Sequence, residues 1–294
     1  MKRVLVTGAR GFIGRRCLPL LASRGHEVHA VSSGAVPSAA WHRCDLLDPG
    51  QCDALLRRVR PTHLLHLAWI TKPGVFWHSP ANADWLAAGI HLMRQFYGRG
   101  GERVLGIGTC AEYADSELPC DEARTPVGPV TPYGRAKAAL LESLRGLGTN
   151  RSWAWARIFF PYGPGDPPGR FIPDLIDSLL ARRPFDCTHG NQVRDFVFVD
   201  DVAEACVALL DSSCEGVYNV GSGTGTSLRE LAAAAVAELG HAELIRFGAR
   251  PSPAHDPARL VANVDRIRRD LHWSPRIGIS EGLRRCISAR KDRT

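Results

Sequence analysis

The chain has 294 residues, 45% of them hydrophobic and 23% charged. That is enough to bury a sizeable core, as one large α/β domain or a large domain with a small lobe, and it excludes a compositionally disordered chain. The formal net charge is +7, but the basic residues are scattered and show no stripe interleaved with aromatics, so nucleic acid is not an expected partner.

The N-terminus reads MKRVLVTGARGFIG. Its apolar run is too short for a signal peptide, and no window in the chain approaches the roughly 18 apolar residues of a membrane span. Strand-like runs follow at Arg3–Thr7, Glu27–Ser32, Thr62–Ala68, Arg103–Thr109 and Trp153–Phe160. Helical patterns lie between them at about 12–24, 49–59, 80–98 and 132–146. This alternation predicts a parallel sheet with helices on both faces, and the continuous apolar strands suit a doubly covered sheet. Asp48-Pro49, Ser79-Pro80 and Thr131-Pro132 each place a capping residue before a proline at a helix start. Pro19 falls inside the first helical pattern and predicts a kink or one lost hydrogen bond.

After residue 161 the stretch PYGPGDPPGR reads as a loop leaving the sheet. Residues 170–183 look helical, Asp195–Val199, 200–211 and Val217–Gly221 resume the alternation, and Ser227 to Glu230 form a capping box. The expected organisation is a dinucleotide-binding domain over 1–165, with 195–221 returning to it, and a substrate-binding lobe over 166–194 and 222–294. The basic tail with Arg290, Lys291 and Arg293 reads as solvated. Nine cysteines, an odd count without a C-x-x-C pair, argue against a disulfide framework or zinc site and for reduced thiols in the cytoplasm. The histidines show no metal-ligand spacing, so no metal is expected.

Gly8-Ala-Arg-Gly11-Phe-Ile-Gly14 directly follows the first strand and opens a helix. In that context glycines permit a tight turn and let the backbone approach a pyrophosphate, while the helix N-terminus supplies open amides. The spacing is G-x-x-G-x-x-G, and it resembles the TGxxGFIG of extended short-chain dehydrogenases/reductases, the epimerase/dehydratase type that acts on nucleotide sugars. The resemblance implies a doubly wound (Rossmann) α/β fold with a smaller C-terminal substrate-binding lobe. It also implies a cofactor site that includes Gly8, Gly11, Phe12, Ile13, Gly14, Leu67, Ala68 and the Asp45-Leu46 pair. The second strand ends Val31-Ser32-Ser33-Gly34, without the acid that binds NAD ribose hydroxyls. Ser32, Ser33 and Arg10 suit a ribose phosphate, so NADP(H) is the expected cofactor and NAD(H) the alternative; Arg10 as a plain surface arginine stays open.

Tyr133-Gly-Arg-Ala-Lys137 is a Y-x-x-x-K match that starts a capped helix, which puts both side chains on one face one turn apart. A nearby ammonium is expected to lower the tyrosine pKa and suit it for proton exchange. Thr109 ends the strand in GIGTCAEYA, where strand ends line the ligand crevice. By resemblance Thr109, Tyr133 and Lys137 are the catalytic triad. The acidic pair that follows this position in sugar 4,6-dehydratases is replaced by Cys110 and Ala111, which argues against that reaction. Cys110 reads either as structural or as a substrate-side acid or base.

QVRDFVFVDDV, residues 192–202, resembles the family segment whose arginine contacts the sugar-nucleotide diphosphate; here that is Arg194. Pairing of Arg194 with Asp195 or Asp200 is the structural alternative. Arg250 resembles a second diphosphate arginine. Arg170 sits where such proteins hold the nucleotide base. Arg157 reads as mainly structural, Tyr162 as passing beside the nicotinamide, His66 as a strand-end residue, and Trp69, Trp77 and Trp85 as crevice walls or packing. The resemblance implies NADPH-dependent reduction of a keto group on a nucleotide-activated sugar. The alternatives are a nucleotide-sugar 4-epimerase and, in another class, a non-catalytic dinucleotide sensor. Family resemblance also makes a homodimer the expected assembly.

Overall fold

The structure is a computed structural model that describes every residue except Ser38, Ala254, His255, Arg293 and Thr294. Arg293 of the basic tail therefore lies outside the described residues. The first half alternates strand and helix except where β3 follows β2 directly: β1 (Arg3–Thr7), α1 (Gly14–Ser23), β2 (Glu27–Val31), β3 (Ala40–His42), α2 (Pro49–Val59), β4 (His63–His66), α3 (Ala81–Gly98), β5 (Arg103–Thr109), α4 (Pro132–Leu147) and β6 (Ser152–Ile158). There follow β7 (Phe160–Tyr162), α5 (Phe171–Leu180), β8 (Phe185–Cys187), β9 (Val193–Arg194), β10 (Phe196–Phe198), α6 (Val199–Asp211) and β11 (Gly216–Val220). The chain ends with β12 (Thr226–Ser227), α7 (Leu228–Leu239), β13 (Ile245–Phe247), β14 (Arg259–Leu260), α8 (Asp265–Leu271) and α9 (Ile279–Lys291).

Among the described residues the main sheet has seven parallel strands in the order β11-β6-β5-β4-β1-β2-β3. The chain runs outward from β1 to β3, then crosses to β4 on the other side. That reversal leaves a crevice beyond the carboxyl ends of β1 and β4. One apolar cluster packs α1 and α6 against the sheet, and a second packs α2, α3 and α4 against the opposite face. Every residue of β5 is buried, as its apolar run requires. This is the doubly wound α/β fold that the sequence predicts. A third cluster joins α5, α7 and α9 over the short strands of the second half.

Local chemistry sets the helix starts. Asp48 and Thr131 accept from the first-turn amides of α2 and α4, each ahead of a proline. Ser227 and Glu230 form the expected capping box on α7. Pro19 lies within α1, which nevertheless runs on to Ser23. The proline is exposed, and its ring nitrogen cannot donate to the Arg15 carbonyl. Arg290 is not solvated as the tail reading expects: its Nε donates to Asp177 at 2.5 Å.

A buried ion pair fixes the end of β5. The Glu112 carboxylate accepts from the Thr109 N–H (2.8 Å), the Trp155 indole N–H (3.1 Å) and Arg157 Nε (2.7 Å). Glu112 and Arg157 are fully enclosed, and the guanidinium stacks 4.3 Å from the Tyr113 ring centroid. Space for the Trp155 ring comes from Gly108, where a Cβ would lie 2.1 Å from the indole nitrogen. Removing one partner of such a pair leaves a buried charge without compensation. Glu112→Ala should therefore lower unfolding free energy by about 3–5 kcal/mol in denaturant titrations, while Asp115→Ala on the exposed loop nearby should change it by less than about 0.5 kcal/mol.

Candidate active site

A cavity of about 480 Å³ opens at the carboxyl ends of β1, β4 and β5. At one end it is walled by the glycine turn. Gly8 has φ +68°, and a Cβ there would lie 2.8 Å from the Ala68 nitrogen; at Gly14 a Cβ would lie 2.3 Å from the Gly8 carbonyl. Only glycine fits either place, so the turn folds tightly against the end of β4. Among the described residues no acceptor meets the N–H groups of Phe12 and Ile13, and both residues line the cavity. Open amides at a helix N-terminus are what a pyrophosphate takes. The turn therefore fits the dinucleotide that its sequence predicts. Gly11, Leu67 and Ala68 share this wall.

Arg10, Ser32, Ser33, Asp45 and Leu46 are not in the cavity lining. They cluster at the ends of β2 and β3, beside it. The Arg10 guanidinium packs against Gly34, Ser32 Oγ donates to the Gly34 carbonyl at 2.6 Å, and Asp45 caps the Leu47 amide. Leu46 is buried with Val31 and Ala68.

Thr109, Tyr133 and Lys137 all line this cavity. Thr109 Oγ1 accepts from the Ala111 amide, and Glu112 holds the Thr109 N–H, a T-x-x-E capping box that the sequence reading overlooked although its spacing is legible. Burial lifts the Tyr133 phenol above its ordinary pKa, partly offset by its hydrogen bond with Thr109. The expected lowering by Lys137 is not realised. The ammonium is engaged elsewhere: Nζ donates to the Ile107 carbonyl at 2.9 Å and lies 3.9 Å from the Trp69 ring centroid. Burial pushes Lys137 down to about 7, opposed by the negative charge of Glu112. His66 is fully enclosed behind this group, bonded to Thr7 at 2.8 Å and pushed down to about 3 by burial and by Lys137. Trp77 lines the cavity; Trp85 does not, but packs at a tilt against Trp69 with centroids 6.4 Å apart.

The far end is polar. Arg194 is buried, donates to Asp256 and lies over the Phe160 ring at 5.5 Å. It pairs with neither Asp195 nor Asp200: Asp195 is taken by the amides of Ser222, Gly223 and Ala262, and Asp200 by Arg16. Arg170 lines the cavity, 3.2 Å from Asp166 and 6.0 Å from the Phe12 centroid. Asp166, also in the wall, is raised to about 6 by burial against four surrounding arginines. Cys110 lines the wall with its thiol raised to about 12 by burial, which leaves it protonated. Arg250, expected at the diphosphate, lies apart from this wall. Its backbone bonds to the Cys187 carbonyl on the outer edge of the β8–β13 ribbon, its side chain is exposed, and it does not line the cavity. Asp256, which the sequence reading did not name, occupies that wall instead.

The chain is similar to known proteins over nearly its whole length. A UDP-glucose 4-epimerase of Rhizobium meliloti is 29% identical over 94% of this chain and 93% of its own length. A dTDP-glucose 4,6-dehydratase of Neisseria gonorrhoeae is 27% identical over 97% and 94%. Among solved structures, a UDP-glucose 4-epimerase of Thermus thermophilus in complex with NAD superposes with a TM-score of 0.90 at 29% identity, covering 99% of this chain and 100% of that one. A sequence profile described as the NAD dependent epimerase/dehydratase family matches residues 4–221, a stretch that runs from within β1 through the glycine turn and the Tyr133 helix to just past β11, and this chain belongs to that family.

Proposed function

We propose that the protein is a 4-epimerase of a nucleotide-linked sugar. The observation that carries the reading is the single cavity joining the glycine turn, the Thr109–Tyr133–Lys137 group and Arg194. Relatives named as UDP-glucose 4-epimerases span nearly the whole chain and support it over the reductase first read from the sequence. The glycine turn and the amides of Phe12 and Ile13 would hold a nicotinamide dinucleotide, which when bound supplies a reversible hydride acceptor. Tyr133 takes the proton of the sugar hydroxyl at the carbon that is inverted, and later returns it. Thr109 orients that oxygen through its hydroxyl. Lys137, one helical turn from Tyr133, would hold the ribose of the nicotinamide nucleotide. Arg194 faces the diphosphate, with residues 166–194 and 222–294 as the lobe that encloses the nucleotide and sugar. Cys110 and Ala111 stand where a dehydratase would carry acids, which disfavours water elimination.

One observation favours a second reading, NADPH-dependent reduction of a ketosugar. Arg10 lies against Gly34, and Ser32 and Ser33 end β2 without a carboxylate. That surface suits a ribose phosphate. The two readings separate on cofactor turnover: an epimerase consumes no reduced cofactor.

Purified protein with UDP-glucose should yield UDP-galactose without net change in nicotinamide absorbance. Tyr133→Phe should reduce the rate by roughly 100- to 10,000-fold. Consumption of NADPH with a 4-ketosugar nucleotide, and no interconversion in a panel of nucleotide hexoses, overturns the epimerase reading in favour of the second. In calorimetric titrations Arg10→Ser should weaken NADP binding by roughly 10- to 100-fold and leave NAD unchanged, the worth of a charged hydrogen bond of about 1.5–3 kcal/mol. Equal effects on both cofactors remove the phosphate role of Arg10.

The depressed pKa of Lys137 also has a stability consequence. Between its folded value of about 7 and its ordinary 10.5, the unfolded chain binds the extra proton, so this group makes stability rise with pH across that window. Lys137→Met lacks the titration. It should be more stable than the parent by about 1–4 kcal/mol at pH 7 and below, with the gap closing toward pH 10 in urea unfolding. A gap that does not vary with pH refutes this.

A further inference from the structure

Residues 70–80, between β4 and α3, form an exposed turn whose aromatic side bears on the reacting pair. Phe76 and Trp77 meet the Tyr133 ring edge-on, with centroids 4.9 and 5.5 Å away and interplanar angles of 87° and 89°. The Tyr133 N–H donates to the Trp77 carbonyl at 3.2 Å. This turn, more than the sheet, sets the plane of the phenol.

Asn82 ties the turn to the body. It is buried at the start of α3, 3% exposed. Its Nδ2 donates to the Phe76 carbonyl at 2.7 Å and the Ser79 carbonyl at 2.9 Å. Its Oδ1 accepts from the Trp69 indole N–H at 2.9 Å. Two carbonyls and one N–H as neighbours allow only this amide orientation. The face of Trp69 is the one over which the Lys137 ammonium lies. One buried amide thus joins the support of the ammonium to the support of the phenol.

We propose that Asn82 and Trp69 are positioning residues: through this hydrogen-bonded circuit they hold the 70–80 turn against Tyr133 and keep the Trp69 face under Lys137. The inference rests on reading Tyr133 and Lys137 as the reacting pair. A cation over a desolvated indole is stabilised, so the face of Trp69 favours the protonated lysine. The other groups facing Lys137 are the Ile107 carbonyl, the Glu112 charge and the imidazole of His66, which stays neutral across the working pH range. Trp69 is therefore the contact that can be altered without changing a charge.

The test uses the full-length protein, UDP-glucose as substrate, and backbone amide exchange followed by mass spectrometry. Asn82→Ala should lower kcat about 10- to 100-fold with KM changed less than about threefold, since it misaligns the reacting group without touching substrate. The Tyr133 amide should exchange faster. Trp69→Phe keeps a ring face but loses the N–H: it should show the kcat loss and the faster exchange with an unchanged pH profile. Trp69→Leu should in addition move the basic limb of the kcat–pH profile to lower pH, because protonated Lys137 loses its support. Parental kcat, pH profile and Tyr133 exchange in Asn82→Ala overturn the proposal. If both Trp69 variants keep the parental profile, the Lys137 half of it fails. Full activity of Tyr133→Phe would instead sink the reading of the reacting pair, and the exchange measurement, which needs no substrate, would still decide whether the circuit exists.

Discussion

The structure turns on an ammonium group held out of water. Lysine is almost never fully buried unless paired, because desolvation disfavours its charged form by several pKa units. Lys137 nonetheless sits enclosed at the sheet's carboxyl edge, with one carbonyl, one indole face and a nearby carboxylate for company. Nothing in the packing of α4 requires a charge there: its neighbours Ala136, Leu140 and Leu141 are ordinary core residues. The site is kept at a cost to stability, the pattern expected where a side chain is retained for chemistry.

The carboxylate in that company does two things. Glu112 lends Lys137 its negative charge and, at the same time, neutralises Arg157 and holds the Thr109 backbone. The buried charges form a ladder: Arg157 against Glu112, Glu112 against Lys137. Each step compensates the desolvation of the next, which isolated buried ions cannot do. The ladder also explains the glycines in β5. Gly106 and Gly108 have no side chains, and the Trp155 ring fills the space they leave, close enough to donate its N–H to Glu112. A strand that reads as weak by propensity is weak because its neighbour's ring must enter it.

Much of this was legible in the sequence, and the boundary of legibility is physical. The strand–helix alternation, the caps at Asp48, Thr131 and Ser227, and the glycine turn are local, decided by residues within a few positions of each other. Thr109, Tyr133, Lys137 and Arg194 each occupy a recognisable motif at a strand or helix end, and all four line the cavity. What the sequence does not report depends on long-range placement. The direction of the Tyr133 shift is set by burial under Phe76 and Trp77, 57 and 56 positions away, and no spacing rule reports that. Arg250 was placed by analogy of its neighbours, but the backbone there follows the β8–β13 ribbon outward, and Asp256 takes the cavity wall. Ser32, Ser33 and Arg10 gave a cofactor preference from side-chain chemistry alone, whereas the bound cofactor of the Thermus thermophilus relative is NAD.

The polar end of the cavity has a constraint of its own. Arg194 is already engaged: one Nη donates to the Val193 carbonyl, the other to Asp256. A guanidinium has five N–H donors, so these two bonds leave three in the same plane. An incoming diphosphate need not displace Asp256 to be held. Its negative charge, however, would lie close to that carboxylate and would be resisted if Asp256 stood alone. Gln192 reduces this conflict. Its Nδ-like amide donor, Nε2, reaches the second Asp256 oxygen at 3.0 Å and Thr188 at 2.8 Å. Both oxygens of Asp256 are thereby turned toward donors of the protein. The carboxylate acts as a brace that fixes the plane of Arg194, and on the proposed reading the remaining N–H donors are the part a diphosphate would meet.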